Sequence, residues 1–111
     1  MKYNPDKWVI LKITNKATGE VHYRVFATWY GGYTQGEEWK LNSGIEKVTV
    51  ADYHYVFVGT SGSEYICNKE TYGTSGWTQS VLNKLINNAQ QISIEVLDNC
   101  EDWSWLNESC H

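Results

Sequence analysis

Apolar and polar positions alternate along the first two thirds of this chain, and the period then changes. Residues 8–14 (WVILKIT) place Val9, Leu11 and Ile13 on one face and Ile10 on the other, a pattern that predicts a strand. Residues 20–30 alternate at greater length. Val21, Tyr23, Val25, Ala27 and Trp29 share one face, and His22, Arg24, Phe26, Thr28 and Tyr30 share the other. One apolar and one mixed face predict an antiparallel sheet covered on one side. The intervening NKATG supplies turn chemistry, with Gly19 suited to the positive-φ position of a hairpin loop.

Shorter alternating runs follow at 37–41, 45–51, 53–59 and 64–67, separated by turns at 31–36, 42–44 and 60–62. Regularly spaced short strands predict an antiparallel meander. Between Thr78 and Ala89 the apolar positions are Val81, Leu82, Leu85, Ile86 and Ala89, the stripe of one amphipathic helix. Ser75 or Thr78 supplies its N-cap, and Asn87 and Asn88 suit its end. Residues 92–97 (ISIEVL) form a last strand. The expected fold class is α+β: a curled antiparallel β-sheet of six or seven strands, approaching a barrel, with one amphipathic helix across it. A chain of 111 residues makes one domain. We place it at residues 1–97 and treat 98–111 as an acidic C-terminal tail. Trp103 and Trp105 predict that part of this tail packs on the domain, because disordered tails are poor in aromatic residues.

Charge narrows the partners. The net charge is −4, and from Glu95 onward five acids (Glu95, Asp98, Glu101, Asp102, Glu108) stand without a Lys or Arg. The rest is close to neutral, so no basic footprint exists for a duplex nucleic-acid partner. No run approaches the ~18 apolar residues of a membrane span, and the N-terminus has no signal-peptide core. No membrane partner and a cytoplasmic location are expected. Cys67, Cys100 and Cys110 are odd in number and widely spaced, which favours reduced thiols.

Candidate chemistry is sparse. The tetrapeptide Gly-Thr-Ser-Gly occurs at 59–62 and again at Gly73, Thr74, Ser75 and Gly76, just before the helix. Free N–H groups and the helix dipole there favour an anion such as a phosphate. The plainer reading is two tight turns and a helix cap. Trp29, Tyr30, Tyr33, Trp39 and Trp77 form an aromatic set beside glycine turns. Exposed rings of this kind stack on bases or sugars for about 1–3 kcal/mol each. The alternative is that they fill the core. Arg24, the one arginine, can pair with a phosphate or carboxylate. The ligand-binding candidates are therefore Arg24, Trp29, Tyr33, Trp39, Gly73, Thr74, Ser75, Gly76 and Trp77.

No metal or cofactor is assigned, since Cys67, Cys100, Cys110 and His111 lack ligand spacing. A nucleophile at Cys67 with His54 or His22 as base and Asp52 as orienter has the residue types but no local signature. Glu37 and Glu38 are adjacent and face opposite ways on a strand.

The segments Trp29-Tyr30-Gly31-Gly32-Tyr33, Trp39-Lys40-Leu41-Asn42-Ser43-Gly44-Ile45 and Gly62-Ser63-Glu64-Tyr65-Ile66-Cys67, with Tyr72-Gly73, resemble a family of small uncharacterised proteins of tailed bacteriophages. The resemblance spans roughly residues 7–85. It implies synthesis in an infected bacterial cytoplasm and brings no catalytic residue with it. The expected function is a non-enzymatic phage accessory binding protein. It either binds a host or defence protein through its sheet face or tail, or sequesters a small anionic, nucleotide-like ligand. The alternatives are a small Cys/His enzyme and a virion or assembly component whose aromatics form a homo-oligomer interface.

Overall fold

Strand β2 (Lys7–Asn15) is buried on both faces, as its nearly continuous apolar run requires. Trp8 and Ile10 point into one core, and Val9, Leu11 and Ile13 into another. The structure, a computed structural model, describes residues 1–29 and 38–109. In it β2 pairs antiparallel with β3 (Val21–Trp29) on one side and with β8 (Ile92–Val96) on the other. The strand β4 (Glu38–Leu41) extends β3, giving the order β4-β3-β2-β8. We call this the central sheet.

A second sheet of order β1-β7-β6-β5 packs against it. Its antiparallel strands are β5 (Ile45–Val50), β6 (His54–Gly59) and β7 (Glu64–Asn68), and β1 (Lys2–Tyr3) joins β7 in parallel. Inward side chains Val48, Tyr55, Phe57, Tyr65 and Cys67 meet Trp8, Ile10, Val25 and Ala27 in the core between the sheets. Helix α1 (Gly76–Asn88) covers the far face of the central sheet, where Leu82 joins Val9, Leu11, Ile13 and Phe26. The fold is thus α+β, with curled, mostly antiparallel sheets. The two sheets stack and neither closes into a barrel.

The one-sided cover expected of β3 holds for the second sheet but not for β3. Phe26 and Thr28 on its mixed face are buried, Phe26 because Leu82 of α1 packs with it. The Thr28 hydroxyl is accommodated there by donating to the Lys7 carbonyl (3.1 Å). At the end of β4, Asn42 closes the turn by pairing with the backbone of Val25. Its N–H donates to the Val25 carbonyl (3.0 Å), and its side-chain oxygen accepts the Val25 N–H (2.8 Å).

Residues beyond β8 run into the inter-sheet core. Leu97 N–H donates to the Ile10 carbonyl (3.0 Å), and a 3₁₀ turn (Trp103–Trp105) leads into α2 (Leu106–Ser109). Asp102 caps the turn by accepting the Ser104 N–H (2.8 Å). Trp103 is only 1% exposed, wedged against Tyr72 (ring centroids 5.6 Å apart, stacked) and edge-on to Trp8 (6.2 Å). Leu106 is buried beside it. Two apolar anchors therefore tie the acidic segment down.

Tyr72 is the hinge of this arrangement. Its hydroxyl accepts the Ile10 N–H (3.1 Å) and donates to the Leu97 carbonyl, so the phenol stands inside the β2–β8 ladder. Burial pushes its pKa up to about 12.

Candidate functional site

The register of the central sheet sets up a groove beside α1. Arg24 lies opposite Leu11, and His22 lies opposite Ile13, which in turn lies opposite Ile94. All five side chains face the helix side. Leu85 and Ala89 from the stripe of α1 form the facing wall, with Lys84 and Asn88 along the rim. The groove, open to solvent along its rims, has a volume of about 400 Å³, in the range of small-molecule sites.

Arg24 is half-buried, and its Nε–H donates to His22 Nε2 at 3.1 Å. That bond requires a neutral imidazole, and the surroundings favour one. Desolvation of the ring, and then the Arg24 charge, hold the His22 pKa below its usual value. With Nε engaged, the two terminal nitrogens of the guanidinium are left for a bidentate acceptor. The groove thus joins an apolar floor to cations on both rims, Arg24 on β3 and Lys84 on α1.

A second groove of about 520 Å³ opens at the junction of β1, β3 and β4, and it brings together Trp29 and Trp39 with Tyr3 and Lys40. Its rings are partly committed to packing. Trp29 donates its indole N–H to the Asn4 carbonyl (3.0 Å) and meets Tyr3 edge-on (6.2 Å). Trp39 stacks on Phe26 (5.5 Å) and remains 38% exposed, so one face of the ring is accessible. The register pairs Trp39 with Thr28 and Trp29 with Glu38, which sends the two indoles to opposite faces of the sheet. Tyr33 and Tyr30 lie outside the described residues.

The second glycine–hydroxyl motif caps α1. Gly73 adopts φ +139° and donates its N–H to the Trp8 carbonyl (2.8 Å). Thr74 donates its hydroxyl to the Gln79 side chain, and the Ser75 N–H donates to Thr78 Oγ1 (3.2 Å) in a capping box. These groups are engaged by the fold. Gly76 and the 51%-exposed Trp77 open the helix, and none of residues 73–77 lines either groove. The expected ligand residues therefore fall into three separate places: Arg24 beside α1, Trp29 with Trp39 at the β3–β4 end, and 73–77 at the helix start.

The residues proposed for Cys/His chemistry do not meet. Cys67 pairs in register with Tyr55 and points into the core, whereas His54 is next to Tyr55 and points to the opposite face. His22 lies on the helix side of the central sheet. Cys67 is fully buried, and burial raises its thiol pKa well above normal, which suppresses the nucleophilic thiolate. Among the described residues, no three His, Cys, Asp or Glu side chains gather to hold a metal ion. Cys110 and His111 lie outside those residues. Among the same residues, no helix is long and apolar enough to cross a membrane.

His22, Lys84 and Leu85 were not singled out from the sequence as ligand residues. A signal existed for two of them: His22 shares the mixed face of β3 with Arg24, and Leu85 belongs to the helix stripe. Lys84 could be found only once α1 was laid on the sheet. Comparison of the chain with protein-family models, with curated proteins and with solved structures finds no match, so the site is read from its own geometry.

Proposed function

We propose that this chain is a non-enzymatic binding protein whose ligand is a small anion held between α1 and the central sheet. The observation that carries the reading is the position of Arg24. The one arginine of the chain lines an apolar groove, with its Nε fixed by His22 and Lys84 across from it. A guanidinium in such a setting is a strong recognition point for carboxylate or phosphate. The resemblance to phage-encoded proteins sets the reading in an infected bacterial cytoplasm, where sequestering a signal molecule would be its effect.

Native mass spectrometry tests this on protein incubated with the small-molecule fraction of a bacterial lysate. An anionic adduct is expected on the wild-type chain and should be lost in Arg24→Gln. A clean unliganded mass for the wild type across lysate fractions would overturn the reading.

A further inference from the structure

We infer that the ligand of the α1 groove is an amphiphilic monocarboxylate, an acyl or aryl acid whose carboxylate pairs with Arg24 and whose apolar body lies on Leu11, Ile13 and Leu85. This rests on the anion reading above and narrows it to one chemical class.

Three features of the groove select that class. First, its floor is hydrocarbon. Leu11, Ile13 and Ile94 come from the sheet and Leu85 and Ala89 from the helix, and none offers a side-chain donor or acceptor. A nucleobase or sugar seated there would bury polar edges without partners, at about 1–3 kcal/mol for each group. An alkyl chain or unsubstituted ring loses nothing on the same surface and gains from the water it leaves.

Second, the polar groups stand only on the rims, with Arg24 and His22 on β3 and Lys84 and Asn88 on α1. The His22 contact occupies Arg24 Nε and leaves the end-on pair of nitrogens. That pair matches the two oxygens of one carboxylate in a fork-to-fork arrangement. A triphosphate would bring several charges to one guanidinium and one exposed ammonium, far fewer cations than phosphate-binding sites gather.

Third, size agrees. The space is about 400 Å³, and a methylene takes up roughly what a water molecule does in the liquid, ~30 Å³. The body then holds at most about a dozen carbons. A two-tailed lipid is too large, and acetate would leave the floor uncovered.

The test uses the full chain, with octanoate, 1-octanol and adenosine monophosphate as probes, followed by amide chemical shifts and calorimetry. Octanoate is expected to shift the amides of Leu11, Arg24, Leu85 and Ala89, and to bind about tenfold or more tighter than 1-octanol. Arg24→Gln should reduce octanoate to the level of the alcohol while leaving the alcohol unchanged. Arg24→Lys, which keeps the charge without the fork, should fall between. An unchanged spectrum outside the groove shows that the variants fold. If the nucleotide shifts these amides and octanoate does not, the anion reading stands and the acyl-acid assignment is overturned. If octanoate and octanol bind equally and Arg24→Gln changes neither, both readings fall. Silence from all three probes overturns the acyl-acid assignment and leaves the broader reading to the lysate experiment.

Discussion

Asn107 pairs with the backbone of Val48 as a neighbouring strand would. Its Oδ1 accepts the Val48 N–H at 2.7 Å, and its Nδ2 donates to the Val48 carbonyl at 2.9 Å. Val48 belongs to β5, the outermost strand of its sheet, where unpaired backbone groups invite pairing with another chain. A primary amide carries the same donor and acceptor as a peptide group, so one side chain satisfies a site that would otherwise need a strand. Replacing Asn107 by Ala should destabilise the fold by about 1–3 kcal/mol, since it leaves two partly buried groups unpaired. Urea unfolding should show a lower midpoint at unchanged slope. A midpoint equal to wild type would mean that water replaces the amide without loss.

Trp103 should be the costliest single truncation in the C-terminal segment. It is enclosed by Trp8, Tyr72 and Trp105, and Trp103→Ala should cost about 3–5 kcal/mol. Stopping the chain after Leu97 also removes Leu106 and Asn107, and should abolish the cooperative thermal transition seen by circular dichroism. Truncation therefore cannot serve as a test of partner binding by the tail. Substitution of the exposed acid Glu101, whose side chain caps nothing, is the milder probe.

Alkaline instability should trace in part to Tyr72. Its folded pKa is about 12 against an ordinary value of 10.0, with burial as the leading cause. Between those values the unfolded chain gives up the phenolic proton and the folded chain keeps it. The stabilisation is therefore complete below pH 10 and fades as pH rises toward 12. Tyr72→Phe should lose less stability than wild type between pH 9.5 and about 11.5, measured by urea titration at each pH. Tyr55 and Tyr65 are shifted the same way, so the variant should flatten the decline without removing it. Equal slopes in the two proteins would dissociate the phenol from the effect.

His22 gives the opposite sign. Its folded pKa lies below the ordinary 6.5, so the unfolded chain takes up the proton first as pH falls. This contribution is present above pH 6.5 and is lost as pH drops through the folded value. A proton titration followed on the imidazole resonances should give a midpoint below 6.5. Arg24→Gln should raise it only part of the way, because desolvation precedes the guanidinium charge among its causes. Complete recovery in that variant would make the charge the leading cause instead.

Much of this fold could be read from local periodicity, because a strand or helix face is a property of neighbouring residues. Seven strands and α1 were legible in this way. The two-residue β1 was not, since Lys2–Tyr3 is too short to alternate and exists only through its parallel pairing with β7. Periodicity says which residues share a face and not which layer that face meets. Phe26 thus reads as half-exposed from the sequence, although Leu82 of α1 covers it. Arg24 stands out as a lone arginine on a mixed face, but that it lines one groove with Lys84 depends on how the helix crosses the sheet. Trp29 and Trp39 were legible as aromatics beside a glycine turn. Their opposite orientations follow from the pairing of Trp39 with Thr28, which the sequence does not disclose.

The pairing of Leu11 with Val96 joins the first long strand of the chain to the last. The central sheet therefore cannot be completed by nearest-neighbour hairpins. A closure spanning most of the chain must be made before its contacts are rewarded. Topologies dominated by such distant pairings fold on the order of milliseconds to seconds, slower than helical proteins of the same size. Until β8 arrives, β2 presents an open apolar edge to any other chain nearby. The moment of greatest aggregation hazard lies in that interval during folding, before the native state has formed.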